Sequence, residues 1–266
     1  MKSLTRCALI ATLAAGCSRA APAPPFPAGE LIDLSHPYDD QAIFWPTSEP
    51  FRLQKDADGM TPAGFYYASN SFFTSEHGGT HLDAPVHFAE GRQSVDEIPL
   101  ERFFGPAVVV DVTTQSEANA DYQVTVADLA AAEREDGRIP NDAILLIRTG
   151  FSRRWPDAAS YMGTAERGEA AVPKLHFPGL HPDAARWIIA NRPVRAIGID
   201  TASIDYGQST LFESHRVLYA VNLPAFENLT ALDRLPPRGA FIVALPMKIA
   251  GGTGAPLRAV AVVPPP

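Results

Sequence analysis

Three of the chain's seven histidines fall within eleven residues, in the run His77-Gly78-Gly79-Thr80-His81-Leu82-Asp83-Ala84-Pro85-Val86-His87. Imidazole nitrogens and a carboxylate at this density are the donor types that a divalent transition metal prefers. A lone histidine is more often a packed or surface residue than a ligand, so the argument rests on the cluster and not on any one ring. The chemistry such a cluster supports is the binding of a metal ion, with a fourth group left over to carry protons.

A helix would also bring His77 and His81 together at i, i+4, as in the HExxH metalloproteases. Gly78 and Gly79 weaken a helix here, and Pro85 removes a donor and clashes with the preceding turn. The spacing instead predicts a strand, a turn and a second strand. Residues 72–77 run extended, the glycines allow a tight reversal, and His81 and Asp83 alternate onto one face, with His87 falling on the same face.

The elements that must hold this segment are legible in outline. Apolar, β-branched runs at 107–112, 144–149, 194–199, 241–245 and 259–263 are nearly continuous in hydrophobicity, as in strands buried on both faces. Thr125 and Asp128 form a capping-box pattern opening a helix at 126–134, Pro182 sits at the first turn of a helix at 183–191, and a third helix is expected at 211–221. The mixture predicts a single α/β domain with a sheet core and no internal repeat. Two connections rich in proline and glycine, 45–64 and 150–179, are long enough to read as binding loops. Their aromatics (Phe44, Trp45, Phe51, Phe65, Tyr66 and Tyr67 around the first; Phe151, Trp155 and Tyr161 in the second) are candidate pocket walls, although packing is the commoner role for any one of them.

The N-terminus carries Lys2 and Arg6, an apolar stretch at 7–15, and Gly16-Cys17, a secretory-signal pattern too short for a membrane span. Leu13-Ala14-Ala15-Gly16-Cys17 resembles the bacterial lipobox, which predicts a signal peptide at 1–16, a lipidated Cys17 with an Ala/Pro tether at 17–29, and a folded domain at 30–266. The other reading is an ordinary signal cut near Ala20 or Ala21. The expected location is a membrane-anchored lipoprotein facing the periplasm. Cys7 and Cys17 are the only cysteines, so the folded body has no disulfide, thiolate ligand or cysteine nucleophile. Without the signal's two cations, 20 basic residues face 30 acidic ones, a formal charge of about −10. With no basic run, nucleic-acid binding and electrostatic attachment to anionic lipid are poor expectations, and membrane contact would rest on the lipid alone.

The segment H-G-G-T-H-L-D-A-P-V-H-F at 77–88 resembles the H-x-G-T-H-x-D-x-P-x-H-F signature of the cyclase-like metal-dependent hydrolases, a family that includes bacterial kynurenine formamidase and isatin hydrolase. Asp33-Leu34-Ser35-His36, Trp45-Pro46, the stretch from Gly198 to Asp205, Glu227-Asn228-Leu229, Leu245-Pro246 and Gly251-Gly252-Thr253-Gly254 resemble further family elements along nearly the whole mature chain. The resemblance implies a mixed, partly barrel-like β-sheet with flanking helices, of the swivelling β/β/α type. It implies His77, His81 and Asp83 as ligands of a first metal, with Asp83 able to bridge to a second held by His215 and Glu227, twelve residues apart. It also implies His87 as the proton-transfer group, Trp45 as a substrate-facing aromatic, and a homodimer.

Read without the family, His215 is polar helix surface and Glu227 a local cap or partner. Asp200 and Asp205 read as turn-formers at a strand end, with Asp200 the better candidate to orient a ligand histidine. His36, His176 and His181 gain no functional case from spacing. The combined expectation is hydrolysis of a small aryl amide by metal-activated water, with His87 as general acid and base. The substrate would be an N-formyl anilide such as N-formylkynurenine or a cyclic amide such as isatin. Zinc is the first choice of metal and manganese the second, one or two per chain, and iron also suits the donors. The rival is a non-catalytic, lipid-tethered protein that binds metal or an aromatic ligand, and a further rival is an interaction lipoprotein using the fold as scaffold.

Overall fold

The computed structural model describes residues 28–265; the expected signal peptide, Cys17 and nearly all of the expected tether lie outside them. The strands are β1 (Glu30–Asp33), β2 (Arg52–Met60), β3 (Tyr66–Phe73), β4 (His81–Asp83), β5 (Phe104–Asp111), β6 (Gln123–Val124), β7 (Ile144–Arg148), β8 (Gly179–Leu180), β9 (Ala196–Ile199), β10 (Ala225–Glu227), β11 (Arg238–Pro246) and β12 (Gly254–Val263). The α-helices are α1 (Thr113–Ala118), α2 (Val126–Asp136), α3 (Ala158–Met162), α4 (Pro182–Asn191) and α5 (Glu213–Tyr219). One mixed sheet runs β1-β12-β11-β5-β7-β9-β10-β4, and β4 pairs a second time with β12, so seven strands close into a barrel and β1 adds on outside β12.

Closure makes two cores from one sheet. On β5, Ala107 and Val109 point into the barrel, while Val108 and Val110 join the core beneath α2, α4 and α5. The barrel interior mixes large side chains such as Leu82, Leu146 and Phe226 with Ala240, Ala244, Ala255, Ala259 and Ala261, the alternation that fills a narrow barrel without voids. The five expected strands and three expected helices are all present within a few residues of their expected ends. At the start of α2 the Thr125 hydroxyl accepts from Asp128 N–H, and the Asp128 carboxylate accepts from Thr125 N–H at 2.7 Å.

The two long connections differ from expectation. Residues 45–64 are no loop: from Arg52 the chain enters β2, which pairs with β3 as a separate two-stranded hairpin. Both strands lie in water, so neither has the one-sided apolar alternation that marks a strand in sequence. Phe65, Tyr66 and Tyr67 are exposed on this hairpin and have no place in the lining of the cavity that holds the histidine cluster. Residues 150–179 fold into short helical turns around α3, and Phe151 and Tyr161 are buried in a third small core with Trp155 packed against it.

Candidate metal centre

The site is built on the barrel wall where β4 lies between β10 and β12. Gly79, at φ +57°, turns the chain back as expected, and its missing Cβ leaves room for the Tyr38 ring. His81 and Asp83 then face the helix layer and Leu82 the barrel interior. Across the antiparallel register, Glu227 sits opposite His81 and Ala225 opposite Asp83, so both carboxylates and the imidazole share a face. Helix α5 crosses that face and supplies His215. His87 arrives differently from the expected alternation: residues Pro85–His87 wind into a 3-10 turn, which lays the His87 ring parallel to His77 at 3.8 Å. The preceding strand β3 ends at Phe73, short of the extended run expected to reach His77.

The donor atoms converge. Asp83 Oδ1 lies 2.7 Å from His77 Nδ1 and 3.1 Å from His81 Nε2, while Asp83 Oδ2 lies 3.3 Å from His215 Nε2. Glu227 joins the two halves, its Oε1 3.3 Å from His215 Nε2 and its Oε2 3.5 Å from His81 Nε2. Ligand atoms bound to one cation at about 2.1 Å stand roughly 3.0–3.4 Å apart, so most of this set already has cation spacing. His87 Nε2 stands farther out, 4.0 Å from Asp83 Oδ2.

Electrostatics favour the same reading. The His81 Nδ1 faces the Gly79 carbonyl at 3.0 Å and donates to it, which leaves a lone pair on Nε2. That Nε2 is buried, lacks an aligned hydrogen bond despite its nearness to Asp83, and looks at oxygens of two carboxylates. Lone pairs facing carboxylates out of water are unfavourable unless a proton or a cation lies between them. The titration behaviour expresses this demand. Burial works to lower His81 and His215, yet the surrounding carboxylates outweigh it: Asp83 and Glu227 raise His81, and Asp205, Asp83 and Glu227 raise His215 well above its usual value. Burial works to raise Asp83, but His77 and the hydrogen bonds of His215, His77 and His81 hold it well below the carboxylate range. Glu227 is raised, by burial first and then by Asp83. His87 is lowered to about 4 by burial, helped by the neighbouring imidazoles against the opposing pull of Asp83, so at neutral pH it is an uncharged base.

The residues round this set hold it in place. Asp205 accepts from His215 Nδ1 at 2.5 Å and from the backbone N–H groups of Ser214 and His215, fixing the start of α5 and the ring together. This corrects the sequence reading, in which Asp205 was a turn-former and Asp200 the better candidate for orienting a histidine. Asp200 instead accepts from Thr149 N–H and Oγ1 and from Gly150 N–H, tying the ends of β7 and β9. Tyr219 donates to Asp83 Oδ2 at 3.0 Å, a contact sequence reasoning missed because only the fold of α5 creates it. Of the remaining histidines, His176 pairs with Asp121, His181 caps α4, and His36 stacks on Trp155.

All seven sequence-selected residues (Trp45, His77, His81, Asp83, His87, His215 and Glu227) line one cavity of about 270 Å³. Phe44, Phe88 and Phe212 also line it, with the Phe88 ring 4.6 Å from His215 and 4.4 Å from His87. Sequence reading had singled out Phe44 but neither of the others. Trp45 stands at one side, edge-on to Phe177 at 6.4 Å and tilted to Phe212 at 6.2 Å.

Known proteins share this arrangement of chain. The family model for putative cyclases matches residues 32–206. An isatin hydrolase from Roseibium aggregatum is 33% identical over 79% of this chain and 78% of its own, and a kynurenine formamidase from Salinibacter ruber is 30% identical over 86% and 96%. The solved isatin hydrolase A from Ralstonia solanacearum superposes with a TM-score of 0.78 at 37% identity, covering 88% of this chain and 92% of that one. By family model, sequence and fold alike, the chain belongs to the cyclase family and is a hydrolase.

Proposed function

We propose that this protein hydrolyses the C–N bond of a small aryl amide, either an N-formyl anilide or a cyclic amide, at a site where His77, His81, Asp83, His215 and Glu227 hold one or two divalent cations. Zinc is the first candidate and manganese the second, because imidazole with carboxylate suits both. The observation that carries the reading is the partnerless lone pair of His81 Nε2, buried beside two carboxylates in a cavity also lined by Phe44, Trp45, Phe88 and Phe212. A divalent ion bound there lowers the pKa of water and polarises a carbonyl.

The chain's own residues do the rest. His87, beside the donors yet farther from Asp83 than they are, takes the proton as water oxygen bonds to the carbonyl carbon. It returns that proton to the nitrogen as the C–N bond breaks, the task of an imidazole that is neutral in the resting site. Trp45, Phe88 and Phe212 hold the aryl ring. An apolar cavity of about 150 Å³ accepts a benzene ring, so roughly 270 Å³ suits one ring system with its amide. The isatin hydrolases share 33% and 37% identity with this chain against 30% for the kynurenine formamidase, which supports cyclic amides as the first substrates to assay.

The deciding experiment compares isatin, N-formylkynurenine and simple lactones on zinc- and manganese-reconstituted protein, with and without a chelator. Amide turnover that the chelator abolishes is expected. Turnover that persists without metal would sink the reading, and metal-loaded protein that turns over none of these compounds would place the substrate outside the aryl amides.

Two further parts of the reading rest on other grounds. We propose a lipid anchor on Cys17 and a periplasmic setting, supported by the Leu13–Cys17 pattern; no helix among the described residues is long and apolar enough to cross a membrane. We also propose a homodimer, supported by the apolar two-stranded hairpin that nothing in a single copy covers.

A further inference from the structure

The turn that carries Trp45 is held from outside the cavity. Ile43, Phe44, Trp45, Thr47 and Ser48 line the cavity beside the histidine cluster. On its inner edge this strap pairs with the glycine turn: Gly79 N–H donates to the Ile43 carbonyl at 2.9 Å, and Phe44 bridges to Gly78. Residues 45–48 then form a tight turn, in which Ser48 N–H donates to the Trp45 carbonyl at 2.9 Å. Behind that turn is a second cleft of about 110 Å³, whose walls include Phe44, Pro46, Met162, Thr164 and Arg167. Open space offers no contact atoms to resist movement, so close packing does not fix the turn from behind.

The groups that do fix it are polar and come from the segment after α3. Gly168 N–H donates to the Pro46 carbonyl at 2.8 Å. The Arg167 guanidinium donates through Nη1 to the Phe44 carbonyl at 3.5 Å and through Nη2 to the Ser48 carbonyl. The neighbouring Glu166 is taken by Lys174 at 2.6 Å, and Arg167 has no ion-pair partner among the described residues. Its planar fork is directed instead at main-chain oxygens on both sides of the turn, a span that a single ammonium covers poorly. The segment is itself anchored, with His176 N–H on the Met162 carbonyl at 2.8 Å and Ala171 N–H on the Gly168 carbonyl at 3.0 Å. We propose that Arg167 is a positioning residue that clamps the Trp45 turn against the cavity and thereby sets the affinity for the aryl ring.

The proposal rests on the aryl-amide reading for its kinetic consequence, whereas the clamp itself is read without substrate. In protein labelled with 5-fluorotryptophan, fluorine NMR gives one signal for each of the three tryptophans, and Trp45 is assigned by its loss in Trp45→Phe. Arg167→Met keeps the aliphatic stem and removes both donors. In that variant the Trp45 signal shifts and broadens, while the signal of Trp187 on α4 stays in place. With isatin as substrate, Arg167→Met raises KM about 10-fold, the low end of what a hydrogen bond to a charged group is worth. It leaves kcat and metal content as in wild type, the pattern of lost ground-state binding. Arg167→Lys falls between the two in both readouts, and carries the test alone if Arg167→Met fails to fold. A Trp45 signal that matches wild type overturns the proposal, whether or not the melting temperature falls, and so does a moved signal with unchanged KM. Wild-type protein that turns over neither isatin nor N-formylkynurenine would instead overturn the amide reading, and the Trp45 signal would still decide the clamp.

Discussion

At the scale of single residues, the proposed function divides groups that would hold a metal from one, His87, that would move protons. The division rests on distance within a set in which His77, Asp83 and His87 also bring one donor atom each within 4.8 Å of one another. His77, His81 and His215 each bring a ring nitrogen within 2.7–3.5 Å of an Asp83 or Glu227 oxygen, whereas His87 Nε2 stands 4.0 Å from Asp83 Oδ2 and its ring is stacked on His77. Replacing His87 with Ala is expected to leave metal stoichiometry unchanged and to lower kcat about 10²–10⁴-fold, the usual worth of a positioned acid or base. Elemental analysis beside single-substrate kinetics checks both halves. Loss of metal in that variant would move His87 among the ligands. Sequence could nominate these residues because 77–87 is contiguous, and a metal's demand for clustered donors leaves its mark on spacing. It could not assign Asp205, whose carboxylate looks like any strand-end turn former until α5 folds back and hands it the His215 ring. Tyr219 was invisible for the same reason, since its contact spans 136 positions.

At the scale of elements, the buried strands were legible because burial on both faces writes a continuous apolar run, and α2 because its capping box is local. Closure of the barrel was not, since β4 and β12 meet only when residues 81–83 find 254–256, and no local pattern records that register. The strap after β1 shows what such closure demands of an ordinary residue. His36 follows β1, hangs from Thr80 Oγ1 through its backbone N–H at 2.8 Å and stacks on Trp155 at 4.1 Å, while its Nε2 is buried without a partner. Burial lowers it to about 4, against a smaller upward pull from Asp33, the one charged group acting on it. Between pH 4 and about 6.5 the unfolded chain therefore binds a proton that the folded chain refuses, so stability falls as pH drops through that window and this group takes nothing more below it. The loss is on the order of 3 kcal/mol. His36→Phe keeps the stack and removes the titration. Urea midpoints measured at pH 7 and pH 4.5 should fall less in the variant than in wild type, and parallel losses would show that His36 is not held neutral.

At the scale of the whole molecule, the unexplained part is the hairpin of β2 and β3. Its nine-residue strand β2 is about 30 Å long. Phe72 packs on Phe51 at 6.0 Å, and the hairpin contributes no side chain to any of the three cores. A two-stranded ribbon is marginal in water by itself. This one exposes Leu53, Met60, Phe65, Tyr66, Tyr67, Phe72 and Phe73, each at 46% or more. By the alternation of β3, Tyr66 and Phe72 share one face with their cross-strand partners Met60 and Leu53, while Tyr67 and Phe73 lie on the other. At about 100 Å² apiece one face offers roughly 400 Å², so only a partner that covers both faces approaches the ~800 Å² of a standard protein interface. Its charges, Arg52 and Lys55 against Asp56 and Asp58, balance, so no field repels a second copy. The arm is rooted at the cavity: Trp45, Thr47 and Ser48 on one side of it and His77 and Gly78 on the other line the metal site. A two-fold pair exchanging such arms would brace both strands of chain that frame the cavity mouth. Light scattering should give twice the chain mass for the wild type and one chain mass after residues 53–72 are replaced by a short glycine turn, with the circular dichroism of the barrel retained. A shortened protein that remains dimeric, or a wild type that is monomeric, would remove the arm's proposed role; a monomer that sediments with lipid vesicles only when the hairpin is intact would assign the same apolar faces to the membrane surface.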